Sequence, residues 1–327
     1  EIPETIDGQP VVAIGDFAFA QDFYGKSYSA VVIPDSVEKI GSYAFENCAQ
    51  LSAVTFGADS ALTWIGDGAF TGCAMLESIA IGEQVDSIGQ NVFEGCTALA
   101  SISVASANVS YAAQDGVLFN KDYSQLIQYP IAKQSTAYTV PAETDYIFAN
   151  AFAGNTYLQS INLNQVKVLS DYVFLNCTNL NTVTGGSQLE TLLTGVFGNT
   201  AWYASLTGEY AFLGPVLMKY NGTAETLDLR NAPQEFDIIA SCAFYENENL
   251  QEVILPEEIE TISVTAFYGC DNLSDVYLLS LDSVADIGHA AFGNNESLQI
   301  YVSKQTEDLY KANETMQMYG YDDRLAS

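Results

Sequence analysis

The chain has 327 residues, 48% of them hydrophobic, with 41 acidic and 10 basic side chains and a formal charge of −31. A charge of that size and sign excludes a nucleic-acid binder, whose partner's phosphates would be repelled, and disfavours anionic membrane surfaces. No apolar run approaches the roughly 18 residues of a membrane-spanning helix, so no membrane insertion is expected.

The chain opens abruptly on Glu1, just ahead of a repeat, which points to a removed leader or to more protein before it. Asp7-Gly8 is a turn signal, and Ile14 to Phe19 is the first copy of a motif that recurs to the end. Gln21 to Ser29 is a polar, tyrosine-containing insert before a strand around Val31 to Ile33. The motif is clearest from Ile65 to Ile81, I-G-D-G-A-F-T-G-C-A-M-L-E-S-I-A-I. Its apolar skeleton returns at Ile40 to Phe56, Ile88 to Val104, Ile147 to Leu163, Ile262 to Leu278 and Ile287 to Val302. One phenylalanine marks the phase: Phe19, Phe45, Phe70, Phe93, Phe152, Phe174, Phe197, Phe244, Phe267 and Phe292, each preceded by Ala or Val. Adjacent markers lie 22 to 26 residues apart except across two longer gaps. A fixed period of that length is the sign of stacked coils, each too small to bury its own apolar face.

Two side-chain periods share one copy. Ala69, Phe70, Cys73 and Leu76 are spaced by 1, 3 and 3, which predicts a short helix or 3₁₀ turn. Ile79 and Ile81 then alternate, which predicts a short strand with both facing inward. The phase breaks twice. Between Phe93 and Phe152, Val117 to Phe119 and Leu126 to Tyr129 read as two strands joined at Asn120 to Ser124. Between Phe197 and Phe244, Val216 to Gly222 reads as a second hairpin-like segment. At the end, Leu309, Tyr310, Met316, Met318 and Tyr319 could place an apolar face over the last coil, as a capping helix or loop.

The repeated unit resembles the leucine-rich repeat of the BspA type, from about Thr5 to Val302, and the stretch Asp115 to Pro130 resembles an irregular unit of that family. The resemblance implies an α/β solenoid: a right-handed superhelix with a parallel concave β-sheet and short helical or 3₁₀ segments on the convex side. It implies binding of other macromolecules, often in adhesion, by a secreted or cell-surface bacterial protein, and it implies no reaction. The expected organisation is one solenoid over 1–327, with irregular hairpin-like coils at about 105–145 and 200–236 and a C-terminal cap at about 303–327.

Cys48, Cys73, Cys96, Cys177 and Cys270 all stand three residues after a marker Phe, a place taken elsewhere by Asn155, Thr200, Asn247 and Asn295. The column therefore wants a small, weakly polar group, and these cysteines are expected to be buried thiols, as is Cys242, rather than disulfide halves. There is no C-x-x-C pair and a single histidine, His289, at a variable repeat position, so neither a metal site nor a catalytic triad is expected. Nucleophile-elbow, P-loop and H-E-x-x-H motifs are absent, no pair of carboxylates stands out for glycoside hydrolysis, and Asp67-Gly68 and Asp115-Gly116 read as turns, not calcium loops. Asn108 and Asn221 fit the N-glycosylation pattern but signify little in a chain of bacterial character.

What remains is surface. The outward strand positions of the early copies are Ala53, Thr55, Ser78, Ala80, Ser101, Ser103, Ser160, Asn162, Thr182 and Thr184, small and mostly hydroxylic. Two later pairs, Glu252 with Ile254 and Asp275 with Tyr277, carry charge and bulk and are candidate binding residues. Aromatic residues of the irregular stretches form a second candidate set: Trp202, Tyr203 and Tyr210, with Tyr24, Tyr28, Tyr111 and Tyr123 in the same class. The expected function is non-catalytic binding of an extracellular protein or glycan, by a monomer without cofactor or metal; the acidic balance makes a basic partner the sharper reading. A glycan-active enzyme, its accessory region, and a structural spacer are the alternatives.

Overall fold

The computed structural model describes residues 2–20, 28–281, 285–293, 295 and 297–326. Most of the polar insert, with Tyr24, lies outside the described residues. The chain divides into two compact units: Glu1–Asn162 with Tyr172–Val183 and Phe197–Ala201, and Leu163–Asp171 with Thr184–Val196 and Trp202–Ser327. Each is a stack of parallel coils.

Inside each unit the marker residues form a file of aromatic rings. In the first, Phe19, Phe45, Phe70 and Phe93 follow one another at 5.1, 5.3 and 6.2 Å between centroids. Tyr129, Phe152, Phe174 and Phe197 follow at 4.6, 4.9 and 5.2 Å. In the second unit Tyr220, Phe244, Phe267 and Phe292 follow at 5.4, 4.4 and 5.6 Å. Tyr129 and Tyr220 thus hold the marker position in the irregular coils. Each fully buried ring contributes about 1.5–3 kcal/mol from area alone, so the files dominate the interior.

A coil contributes two strands. The isoleucine that opens the motif lies in a two-residue strand: Ala13–Ile14, Lys39–Ile40, Trp64–Ile65 and Ser87–Ile88 form one parallel ladder. The longer strand predicted at the motif's end is also parallel to its neighbour, as in Ala30–Ile33 with Ala53–Phe56 and Ser78–Ile81 with Ser101–Val104. In the second unit Thr226–Asp228, Glu252–Ile254, Asp275–Leu278, Gln299–Val302 and Leu325–Ala326 make the long-strand ladder.

The segment around the marker is a turn and not the helix or 3₁₀ segment that the 1-3-3 spacing predicts. Backbone conformation is the reason. Tyr43 and Asn47, two residues before and after Phe45, have φ of 56° and 57°; Gly68 and Gly72 flank Phe70 with 58° and 73°. A left-handed residue cannot propagate a right-handed helix. Alternate N–H groups therefore point in different directions. Those of Ala44, Glu46 and Cys48 bond within their own coil, to Gly41, Tyr43 and Phe45. Those of Tyr43, Phe45 and Asn47 cross to Asp67, Ala69 and Thr71 of the next coil at 2.8 Å. A helix would have spent every N–H locally; this turn uses every second one to tie coil to coil.

The first irregular region is a three-stranded meander, one strand more than the sequence suggests. Tyr111–Gln114 turns through Asp115-Gly116 into Val117–Asn120, which pairs with Gln125–Gln128, which resumes parallel pairing with Tyr146–Ile147. Both turn residues have positive φ, 51° and 80°, the requirement of a two-residue type I′ hairpin. Asn108, fully buried, starts the meander: its Nδ2 donates to Gly82 and Val85 carbonyls at 2.7 and 2.8 Å, and its Oδ1 accepts from Ser110 and Tyr111 N–H at 2.9 and 2.7 Å. Asn108 is thereby closed to glycosylation.

The C-terminal segment holds two short helices, Glu307–Lys311 and Glu314–Met318, and the strand Leu325–Ala326, which pairs with Gln299–Val302. Tyr310 and Met316 are buried as expected, but Leu309 and Met318 are exposed, at 56% and 70%. The ring that closes the file is Tyr321, edge-on to Phe292 at 5.4 Å, its hydroxyl donating to the Gly293 carbonyl at 2.8 Å.

Candidate functional site

The cysteine column is an interior feature. Each of Cys48, Cys73, Cys96, Cys177 and Cys270 is a free thiol within 3.1–3.2 Å of the carbonyl oxygen of the preceding marker: Phe19, Phe45, Phe70, Phe152 and Phe244 in turn. Asn155 and Asn247 serve the same end with their amides, donating to Pro130 and Gly222. Burial pushes the thiols up, Cys48 and Cys270 to about 11 and Cys96 and Cys177 to about 12. These are not nucleophiles at neutral pH. His289 is exposed, edge-on to Tyr319 at 4.8 Å. Among the described residues no group of three or more His, Cys, Asp or Glu could hold a metal ion, and no helix is long and apolar enough to cross a membrane.

The long-strand ladder of the second unit presents the most distinctive outward face. Val253, Val276 and Ile300 point inward and are buried. Strict alternation turns their neighbours out, and parallel register aligns them in two columns. Glu252, Asp275 and Gln299 stand opposite one another in the first; Ile254, Tyr277 and Tyr301 do so in the second. All six are half-buried. Tyr277 and Tyr301 stack face to face, centroids 4.5 Å apart and planes 9° from parallel. The Asp275 carboxylate beside the Tyr301 hydroxyl pushes the phenol up, with burial, Tyr277 and Glu252 adding to the effect. Burial, then Glu252 and Asp275, push Tyr277 up as well. Both phenols are neutral donors at physiological pH.

The carboxylates at this face differ. Asp228, next to Ile254 in register, is neutralised: Arg230 grips it with two bonds of 2.8 Å and holds it below the usual carboxylate range. Asp275 Oδ2 also accepts from Ser274 Oγ at 2.5 Å. Neither Glu252 nor Asp275 has a Lys or Arg partner among the described ion pairs. The face therefore offers two uncompensated negative charges beside a fixed pair of aromatic rings.

The four predicted residues Glu252, Ile254, Asp275 and Tyr277 thus come together. Gln299 and Tyr301 complete the face and are missing from the sequence-derived set, although the same strand phase, followed one copy further, reaches them. The second set disperses. Trp202 is 9% exposed, in the short helix Ala201–Ala204, and its ring is not offered to a partner. Tyr210 packs on Phe212 and Tyr220. Tyr28 packs edge-on to Phe19, Tyr123 against Phe119, and the Tyr111 hydroxyl accepts from Ile88 N–H at 2.9 Å. Tyr203 is half-buried beneath Lys219 and lines a separate cleft.

Residues 13–115, 129–202 and 222–312 match the family described as BspA type Leucine rich repeat region, in six copies. The chain belongs to this family. Two solved structures share the fold of this BspA-type repeat protein. The pneumococcal vaccine antigen PcpA is 24% identical, with a TM-score of 0.60 over 94% of this chain and 70% of that one. A leucine-rich repeat protein from Eubacterium ventriosum is 20% identical, with a TM-score of 0.53 over 86% and 80%. At those identities the likeness concerns the fold alone. No curated protein matches the chain.

Proposed function

We propose that this BspA-type repeat chain is a non-catalytic binding module of a secreted or surface-displayed bacterial protein. Its contact face is formed by Glu252, Ile254, Asp275, Tyr277, Gln299 and Tyr301, and it serves adhesion to an extracellular protein. The observation that carries this reading is the Tyr277–Tyr301 stack set beside two carboxylates without a cationic partner. A stacked tyrosine pair loses little rotamer freedom on binding, which makes it a good anchor. Flanking carboxylates and a net charge of −31 favour an extended segment bearing lysine or arginine, held by charge and by the ring faces together. Support for an extracellular setting comes from the family and from the similarity to PcpA, a pneumococcal vaccine antigen.

The test is a binding screen of the purified chain against immobilised extracellular-matrix proteins, run in parallel with Tyr277→Ala. The reading expects at least one saturable hit that the substitution weakens by about tenfold, about 1.4 kcal/mol. Hits that Tyr277→Ala leaves untouched, or none at micromolar protein, would remove this face from the function.

A further inference from the structure

A cleft of about 680 Å³ opens beside the hairpin Tyr210–Leu213 and Val216–Tyr220, within the size range of small-ligand sites. It owes its existence to the irregular coil. Tyr220 holds the marker position there, its N–H donating to the Ala243 carbonyl at 2.9 Å. The residue after the marker is Tyr245 in the following coil and Tyr268 in the one after that; these two rings stack at 6.0 Å and 12°. Tyr268 covers one side of Tyr245. On the other side, the residues that follow Tyr220 are Asn221 and Gly222. The Asn221 amide is turned to the Leu206 and Gly208 carbonyls, at 3.1 and 2.7 Å, and glycine has nothing to offer. Tyr245, 52% exposed, thus ends its aromatic ladder with a face turned to the cleft.

The same cleft is lined by Tyr203 and, 5.7 Å from its ring centroid, the Lys219 ammonium. Glu248 and Asn249 line the rim and are exposed. An open aromatic face takes a flat apolar surface, either another aromatic ring or the C–H face of a sugar. The rim decides between them. An aromatic side chain would desolvate Lys219, Glu248 and Asn249 without partners for them, whereas ring hydroxyls can both donate and accept. Charge narrows the choice further. Glu246 and Glu248 line the cleft with Lys219, the one cation among the described residues of its lining, on a chain of −31, so uronates, sialic acids and sulfated sugars are disfavoured.

We propose that this cleft binds a neutral pyranose of a glycan, its C–H face on Tyr245 and its hydroxyls on Lys219, Glu248 and Asn249. The site is separate from the strand face and stands or falls independently of it. The experiment is saturation-transfer NMR on the full chain with the methyl glycosides of glucose, galactose, mannose and N-acetylglucosamine at about 10 mM, single sugars binding at the millimolar end of the affinity scale. Glucuronic acid and N-acetyltyrosinamide serve as the charged and aromatic comparisons. At least one neutral glycoside is expected to bind, about tenfold more weakly to Tyr245→Ala and within about threefold of wild type to Tyr245→Phe. Tyr277→Ala is expected to change nothing. Tyr245 is largely exposed, so Tyr245→Ala should fold, which its thermal melt will verify. The proposal is overturned if no neutral glycoside gives a signal sensitive to Tyr245→Ala, if the tyrosine amide or glucuronate binds more tightly, or if Tyr277→Ala abolishes the signal.

Discussion

The thiol of Cys96 lies 3.2 Å from the carbonyl oxygen of Phe70, 26 positions earlier in the chain. That carbonyl already accepts from Cys73 N–H of its own turn at 3.1 Å, so the thiol of the next coil adds a second, weaker bond on its other lone pair and ties coil to coil. The same contact recurs in four other coils. Because the acceptor keeps its backbone donor without the thiol, the column contributes mainly through packing, with a weak S–H bond added at each coil. Replacing the fully buried Cys96 by Ala should destabilise the chain by about 1 kcal/mol in urea unfolding, from the small void and the lost S–H bond, and Cys96→Ser, which keeps a donor of similar size, by less.

These thiols also set an alkaline limit. Their folded pKa lies above the unfolded value of 9.0, so the folded state keeps protons that the unfolded state gives up. Stability should be complete below pH 9 and fall as pH climbs toward the folded values of about 12 at Cys96 and Cys177. Urea midpoints between pH 8 and pH 10.5 would register the loss, and the double variant Cys96→Ala, Cys177→Ala should flatten the decline. An unchanged slope in that variant would assign the alkaline sensitivity to other groups.

The aromatic file predicts a large loss from a single truncation. Phe267 is fully buried between Phe244 at 4.4 Å and Phe292 at 5.6 Å. Phe267→Ala should cost about 3–5 kcal/mol in denaturant unfolding, because stacked coils cannot close inward over the void.

Asn108 makes four hydrogen bonds with no exposed surface. Asn108→Ala should cost about 3 kcal/mol or more, since two N–H groups and two carbonyls lose their partner together. Amide exchange at Ser110 and Tyr111 should accelerate in the variant; exchange at wild-type rates would show that water replaces the side chain.

Gly214 opens the two-residue turn of the second hairpin with φ +55°, and a Cβ there would fall 1.9 Å from the Gly186 carbonyl oxygen. Gly214→Ala should lower stability by about 2 kcal/mol or more, seen as a lower thermal midpoint.

Much of this was readable from the residues. The recurrence of Phe at a fixed phase gives the stacking, and its offset to cysteine gives the thiol column, because burial of a side chain depends on the repeat and not on the exact backbone path. The marker segment departs from the expected helix for a physical reason. A right-handed helix and a turn alternating right- and left-handed residues can carry the same 1-3-3 side-chain spacing; only φ tells them apart. The available signal was the recurrence of Gly and Asn two places from the marker, at Gly68, Gly72, Gly95, Gly154, Asn47, Asn150 and Asn176, residue types that tolerate the left-handed region. Tyr129 and Tyr220 escaped notice because a tyrosine before Pro130 or Asn221-Gly222 reads as the edge of a turn, while in the stack it fills a phenylalanine's place. Trp202 failed as a surface candidate because an aromatic residue outside the regular copies can be buried as deeply as one inside them.

The central claim is that the rings of Tyr277 and Tyr301 add recognition beyond what negative charge alone supplies. Calorimetric titration of an extended peptide carrying spaced arginines into wild type and Tyr301→Leu tests it most directly, since the substitution leaves net charge intact. The account predicts an affinity about tenfold weaker for Tyr301→Leu at physiological salt. Equal affinities for the two proteins, both vanishing together as salt rises, would contradict it.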